Sequence, residues 1–421
     1  VLEALTQASV QIKILEAVQM ADKKQEILKE LYPEDVYSYA SKLTLGEAEV
    51  LQQTRQIIEK ELRPVINDYW EKAEFPFEQF YKLADAGIMN NPKLFEGREN
   101  AQKPREIYNA FLYYELARFD ASIATFYTVH GGLGYNTLLL GGNERQVKEF
   151  TPKVANFEWQ TCFALTEPDH GSDIAGGLAT TAKREGDNWV LNGEKRWIGG
   201  ADTADIIPVF ARDVEDHKIK CFIVRKGAKG YNAVPVPRKI SLRAVQNAHI
   251  TLEDVVVPEE DRLQKINGFR DVANILIHTR ADVAHIATGM TGGAYTATVK
   301  VAKKREQFSK KLGYFQITQE KLARMLANVT SALSFSVRIS ELMDEGQYKM
   351  VNSALAKMNN AMVMRDTVAL GRGIVGGNGI TLDTDIGRFF ADAEAIYTYE
   401  GTHEVNALIV GREIVGKGAF V

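Results

Sequence analysis

Apolar positions along the chain fall into three textures. In "EAEVLQQTRQIIEKELRPVINDYWEKA" they recur every three to four residues with charges on the other face, which predicts an amphipathic helix. Pro64 should bend or break it, because proline lacks a backbone donor and clashes with the preceding turn. "PREIYNAFLYYELARFD" and "GNERQVKEFTPKVAN" read as helices too. So does "ASVQIKILEAVQMADKKQEILKELY" near the start, which reads as an appendage. Near residue 160 the period shortens. "NWVLNGEKRWI" reads as two short strands about Asn192-Gly193, a strong hairpin signal. "DIIPVFARD", "KIKCFIVRK", "YNAVPVP" and "AHITLEDVVVP" follow as short strands bounded by turn residues. They predict a small antiparallel sandwich or barrel that ends near residue 270. From about 272 the helical spacing returns, and 272–307, 316–345, 348–371 and 383–416 each have the length of a long amphipathic helix.

The expected fold class is α+β and multidomain. A helical extension over 1–43 leads into a helical domain over 44–158, a β domain over 159–271 and a helical bundle over 272–421. A chain of 421 residues is too long for one ordinary core, which agrees with this division. Apolar content of 45% and charged content of 25% are typical of a soluble globular protein. The net charge of -4 gives no case for nucleic acid or an anionic membrane as partner. No apolar run approaches the roughly 18 to 20 residues that span a bilayer.

Cys162 and Cys221 form no CxxC pair, and the seven histidines form no HExxH. Neither a disulfide framework nor a metal site is expected, and a reducing, intracellular setting fits. The chain begins at Val1 with no Arg-rich presequence or apolar signal core, and ends in Gly-Ala-Phe-Val rather than a Ser-Lys-Leu address. The expected compartment is the cytoplasm, or an organelle matrix if a targeting segment has been removed.

Four stretches invite a chemical reading, each with a plainer one beside it. "LGRGIVGGNG" matches a dinucleotide fingerprint by letter, but a helical segment precedes it and no βαβ unit surrounds it. A glycine-rich loop between helices, open to close backbone approach, fits better. "CFALTEPDHGSD" is either a surface loop of Asx-type turns or a loop whose hydroxyls and N–H groups grip a polar ring or phosphate. "KVAKKREQFSKK" is either a solvated helix face or the source of one pyrophosphate-binding arginine. In "IYTYEGTHE", Glu400 is either an acid favoured near a helix start or a desolvated base for a carbon acid.

Taken together, "ALTEPDHGSD", "NGEKRWIGG", "REQF", "GGNGI" and "YTYEGTHEVNALIVGREIVG" resemble the acyl-CoA dehydrogenase and acyl-CoA oxidase superfamily from about residue 44 to 418. The pattern is closest to its glutaryl-CoA dehydrogenase and short-chain acyl-CoA oxidase branch. The resemblance implies helical, β and helical-bundle domains, a homotetramer, and FAD between the middle and C-terminal domains. It implies that Glu400 removes the α-proton of an acyl-CoA thioester while the β-hydride leaves to flavin N5, giving the trans-2-enoyl thioester. The Glu400 backbone N–H would help hold the thioester oxygen.

For the cofactor, the resemblance implies Thr166, Trp197, Ile198 and Gly199 about the flavin ring. It gives Arg305, Phe308 and Gln316 to the dinucleotide, with Arg305 on the pyrophosphate across the subunit interface. Gly376 and Gly377 would admit the cofactor to the backbone, and Thr402 would contact it. For the substrate, it implies Ser172 and Arg280 on the CoA part, with Gly401 also binding the substrate. Electrons would pass to an electron-transfer flavoprotein, or to oxygen in an oxidase. A nitroalkane-oxidase-like enzyme and a non-catalytic binding protein are further readings. Two departures stand out. Gly199 replaces a threonine common among the dehydrogenases, which removes a donor and opens space that favours an oxidase. The arginine that pairs the distal carboxylate in glutaryl-type members falls at Ala124, which favours a monocarboxylic, short or medium acyl chain.

Overall fold

The computed structural model describes residues 2–418. Val1 and residues 419–421, which the first and last expected segments include, lie outside the described residues. The first helix, α1 (Leu2–Leu31), is anchored at its C-terminal end, where Ile27, Leu28, Leu31 and the following Tyr32 are buried. Lys24 fastens it by donating from Nζ to the carbonyls of Ser41 and Leu43, both at 3.0 Å. Helix α2 (Leu45–Ile57) starts at a reciprocal cap: the Glu47 N–H donates to the Thr44 hydroxyl at 3.1 Å, and the Thr44 N–H to the Glu47 carboxylate at 2.8 Å. The break expected at Pro64 is there. A π-helical turn (Ile58–Leu62) precedes it, and α3 (Ile66–Lys72) follows.

Helices α4 (Phe77–Tyr81), α5 (Glu106–Phe119) and α6 (Ala121–Tyr127) come next. Asp120 starts α6 by accepting from the N–H groups of Ser122 and Ile123 at 2.8 and 3.1 Å. A second π-helical stretch (Thr128–Gly134) joins α6 to α7 (Tyr135–Gly141), and α8 (Glu144–Ala155) ends the region. After a one-turn helix α9 (Ile174–Gly177) come β1 (Thr181–Glu185), β2 (Asn188–Gly199), β3 (Ile206–Asp213), β4 (Ile219–Arg225), β5 (Tyr231–Pro235) and β6 (Asn247–Pro258). They form one sheet in the order β4-β3-β1-β2-β6-β5, antiparallel except where β1 meets β3.

The hairpin expected at Asn192-Gly193 is absent, and β2 runs straight through it. Gly193 uses its freedom for a bulge instead: its φ is 146°, and the register against β6 shifts between Leu191 and Gly193. A Cβ there would come within 2.7 Å of the Thr180 Cα. The hairpin lies one turn earlier, between β1 and β2, where Glu185 faces Asn188 and Gly186 takes φ 62°.

The last region holds α10 (Phe269–Lys304), a minimal hairpin of β7 (Glu306–Gln307) and β8 (Lys310–Lys311), α11 (Gln316–Asp344) and α12 (Met350–Val375). The single helix expected over 383–416 is two, α13 (Ile386–Thr398) and α14 (His403–Val415). Glu400 and Gly401 break it with φ 57° and 82°, and Thr402 caps α14 by accepting from the Val405 N–H at 3.2 Å. Periodicity carried the pattern across this break because both helices pack against α12.

Two buried acids tie distant segments to the bundle. Arg388 in α13 pairs with Asp120 at 3.0 Å, both fully buried. Asp392, one turn on, accepts from the Leu242 N–H at 2.7 Å and the Trp70 indole N–H at 3.2 Å. Among the described residues, no helix is long and apolar enough to cross a membrane.

Candidate active site

Glu400 stands in the break between α13 and α14, partly buried, with the left-handed backbone that a residue bearing a Cβ adopts at a cost of about 1–3 kcal/mol. Three contacts hold the break in that shape. Lys357, buried in α12, donates from Nζ to the carbonyls of Tyr397 at 2.7 Å and Gly401 at 2.9 Å. Asn406 in α14 donates its amide to the carbonyls of Gly401 at 2.8 Å and Thr402 at 3.0 Å. Tyr399 fixes the other side, its hydroxyl 3.1 Å from that of Thr125 in α6.

Desolvation pushes the Glu400 carboxyl up from its ordinary range, and the nearby charges of Arg280 and Lys357 pull it part of the way back. Lys357 itself is lowered by burial to about 8, with Glu400 opposing the shift. Arg280 in α10 therefore stands close to the acid, and its Nη1 is buried without a hydrogen-bond partner among the described residues. The Glu400 backbone N–H likewise donates to no described group.

Thr166 and Trp197 flank a common element. The Arg196 N–H donates to the Thr166 carbonyl at 2.9 Å, which ties the "ALTEPDHGSD" loop to the end of β2. Beneath that tie, Lys195 and Glu167 form a buried ion pair at 2.8 Å, and Glu167 also accepts from the N–H groups of Ala179 and Thr180. Burial lowers Lys195 to about 8 against the pull of Glu167. Trp197 adopts φ 66° at a register shift and leaves its indole 52% exposed, while Ile198 and Gly199 turn inward and are buried. An open tryptophan on a rigid strand offers a flat apolar wall to a ring system. A Cβ on Gly199 would meet Val129 at 3.0 Å, so Val129 takes up the room on that side. Ser172 is exposed in the same loop.

The remaining cofactor candidates gather at the far end of α12. Arg305 donates to the Val375 carbonyl at 2.6 Å, which fixes the start of the glycine loop, and Gly376 takes φ 70°. A Cβ on Gly377 would meet nothing within 4 Å, so the loop is open to close approach. Phe308 is 89% exposed at the tip of the β7–β8 hairpin, where Phe308 and Ser309 both have positive φ. Gln316 is exposed at the first turn of α11, a 29-residue helix whose N-terminus has no side-chain cap. Open backbone, a cation, an uncapped helix start and an exposed aromatic together suit a dinucleotide.

The sequence candidates thus fall into three groups: Glu400, Gly401, Thr402 and Arg280; Thr166, Trp197, Ile198, Gly199 and Ser172; and Arg305, Phe308, Gln316, Gly376 and Gly377. Lys357 and Val375 lie on one helix about 18 residues apart, so the first and third groups are separated by about 27 Å along it at the α-helical rise. Sequence reasoning missed Lys357. The available signal was a lone lysine in the apolar run "SALAKMNNAM". It also missed the hydrogen bond from the Tyr113 hydroxyl to Asp282, 2.9 Å long and fully buried.

Three family models match the chain in order: acyl-CoA dehydrogenase N-terminal domain over 45–158, middle domain over 162–255 and C-terminal domain over 267–415. The short-chain specific acyl-CoA dehydrogenase of Clostridium acetobutylicum is 29% identical over 376 residues, covering 88% of this chain and 98% of that protein. A glutaryl-CoA dehydrogenase from Mycobacterium smegmatis, solved in complex with FADH2, superposes with a TM-score of 0.86 at 29% identity, covering 92% of this chain and 99% of that one. A structure described as electron transferring flavoprotein of Acidaminococcus fermentans superposes at 0.83 with 27% identity, covering 89% and 99%.

Proposed function

The chain belongs to the acyl-CoA dehydrogenase family, an FAD-dependent oxidoreductase family, and on that premise we propose that Glu400 is the base that takes the α-proton of its acyl-CoA substrate. The observation that carries this reading is the Glu400 break itself. One carboxylate is held by a strained backbone between two cations, with its own N–H free of any described partner.

A carbon acid needs a stronger base than a solvated carboxylate, and desolvation supplies it. Arg280 and Lys357 oppose the upward push of burial and so favour the carboxylate, the form that accepts the proton. As the α-carbon loses that proton, charge develops on the thioester oxygen. The unpartnered Glu400 N–H is a donor placed for it, fixed by the same Lys357 and Asn406 bonds that hold the break. Trp197 offers the wall for the flavin ring, and Thr166 stands on the loop tied beside it. The chemistry that FAD supplies when bound is acceptance of the β-hydride, which completes the trans-2-enoyl product.

Arg305, Phe308, Gln316, Gly376 and Gly377 hold the adenosine end in this reading, and the chain works as a homotetramer. Their distance from Glu400 along α12 supports a role toward a neighbouring subunit's cofactor. Electrons leave to an electron-transfer flavoprotein. Val129 beside Gly199 favours that acceptor over oxygen, because it fills space that the glycine would otherwise leave open.

Anaerobic titration of the holoprotein with butyryl-, octanoyl- and glutaryl-CoA tests the reading. Loss of the flavin band with one thioester and slow return in air is the expected result. Fast return in air would make the enzyme an oxidase, and no loss with any thioester would overturn the acyl-CoA reading.

A further inference from the structure

A small cavity of about 40 Å³ opens between α5, the π-helical stretch Thr128–Gly134 and α10. Tyr113 and Asp282 line it, and both are buried. A cavity for a plain alkyl tail would be apolar. This one has a mixed wall, with Lys103, Glu106, Asn109, His278 and Asp282 beside the apolar Met89 and Pro104. The Tyr113 hydroxyl donates to Asp282 Oδ2 at 2.9 Å, and among the described residues Asp282 has no other hydrogen-bond partner. The carboxyl therefore keeps accepting capacity toward the cavity.

Glycine makes this arrangement possible. A Cβ on Gly132 would stand 2.7 Å from Asp282 Oδ2 and 2.8 Å from the Tyr113 hydroxyl. The backbone of the π-helical stretch has thus come down to the pair. Asp282 is two positions beyond Arg280, which stands beside Glu400, and the Glu400 charge reaches Asp282 and adds to the upward push of burial and Glu106 on its carboxyl. Tyr127, which also lines the cavity, lies two positions beyond Thr125, whose hydroxyl meets that of Tyr399 next to Glu400, so the cavity and the base adjoin the same helix, α6.

We propose that Tyr113 and Asp282 form a polar end to the acyl site and select thioesters whose acyl group carries a hydrogen-bond donor, a hydroxyl or a protonated amine, beyond the reacting carbons. This rests on Glu400 as the base. The size admits a terminal polar group, since about 40 Å³ open to a water-sized sphere exceeds the roughly 10–15 Å³ that one water needs. A distal carboxylate would meet the Asp282 carboxyl, while the cation on the cavity wall, Lys103, is already paired with Glu106. A site built to bond a substrate hydroxyl also rejects the analogue that lacks it, because its own polar groups are then left unpaired.

The test uses wild-type holoenzyme under anaerobic conditions. The rate of flavin reduction is compared for butyryl- against 4-hydroxybutyryl-CoA, and for valeryl- against 5-hydroxyvaleryl- and 5-aminovaleryl-CoA, with glutaryl-CoA as a further arm. The expected result is that at least one donor-bearing thioester exceeds its alkyl counterpart in kcat/KM by about 10-fold or more. The hydroxyl and amine arms show which donor is taken. In Asp282→Val that preference is lost and the alkyl thioester gains, while Tyr113→Phe weakens it with flavin content retained. Equal rates for donor-bearing and alkyl thioesters, or a preference for glutaryl-CoA, would overturn this proposal and leave Glu400 as base untouched. No reduction by any thioester would overturn both.

Discussion

The Glu400 break and the Arg305 corner belong to the same helical region and adjoin the same helix, α12, yet they are finished to different degrees. At the break every conformational demand is met inside the chain. Lys357 and Asn406 supply donors from α12 and α14, Tyr399 locks against α6, and Glu400 is partly buried between two cations. At the corner the chain offers groups without closing over them. Phe308 and Ile317 are exposed, the glycine loop is open, and one arginine holds its start. A base must be positioned and desolvated before substrate arrives. A dinucleotide site can be completed by its ligand and by a neighbouring subunit. The difference shows where this chain is self-sufficient.

The sharpest way to break the comparison is Glu400→Gln. Flavin reduction by an accepted thioester should fall by about 10² to 10⁴, with flavin content unchanged, because a positioned base alone is lost. Stopped-flow absorbance under anaerobic conditions measures it. Arg305→Ala should do the reverse. FAD affinity should drop by about ten- to a hundredfold, the worth of a charge-assisted bond, while the reduction rate per bound flavin changes little. Flavin release on dilution reads this out.

Lys357→Met should fall between the two. It strips a donor from two carbonyls and should lower stability by about 2 kcal/mol and the rate by about tenfold. Its pH signature separates it from a merely structural loss. Catalysis needs the Glu400 carboxylate, so activity falls as pH drops through its pKa. That pKa is raised by burial, so the wild-type acid limb should lie above the ordinary glutamate range. Removing Lys357 takes away a charge that lowers it, so the limb should move further up. A variant whose limb stays put would reduce Lys357 to packing. The smallest effect is expected at the hairpin tip, where Ser309→Gly should relieve a positive φ and stabilise the fold by about 0.5 kcal/mol, visible as a slight rise in Tm.

Much of this was legible in the chain as written. The change from helical to strand-like spacing near residue 160 and back near 272 follows the burial faces of the elements that form. "YTYEGTHE" marks the acid because aromatic and Gly-Thr neighbours are unusual company for a solvated glutamate. What stayed hidden depends on long-range contact. Asn192-Gly193 carries a hairpin signal, but the pairing of β2 with β6 turns the glycine into a bulge. Periodicity ran through Tyr399–Thr402 because both flanking helices pack against α12. Lys357 reads as a solvated lysine until α13 and α14 are folded over it. Tyr113 and Asp282 are far apart in sequence, and no local pattern joins them.

The most direct measurement is exchange of the α-hydrogens of a thioester that cannot lose a β-hydride, such as a 3-thiaacyl-CoA, into deuterated water on the holoenzyme, followed by NMR. It isolates proton removal from the redox step. Wild-type protein should wash the label in catalytically, and Glu400→Gln with full flavin content should not. Exchange by the variant at the wild-type rate would contradict the account and move the base elsewhere in the site.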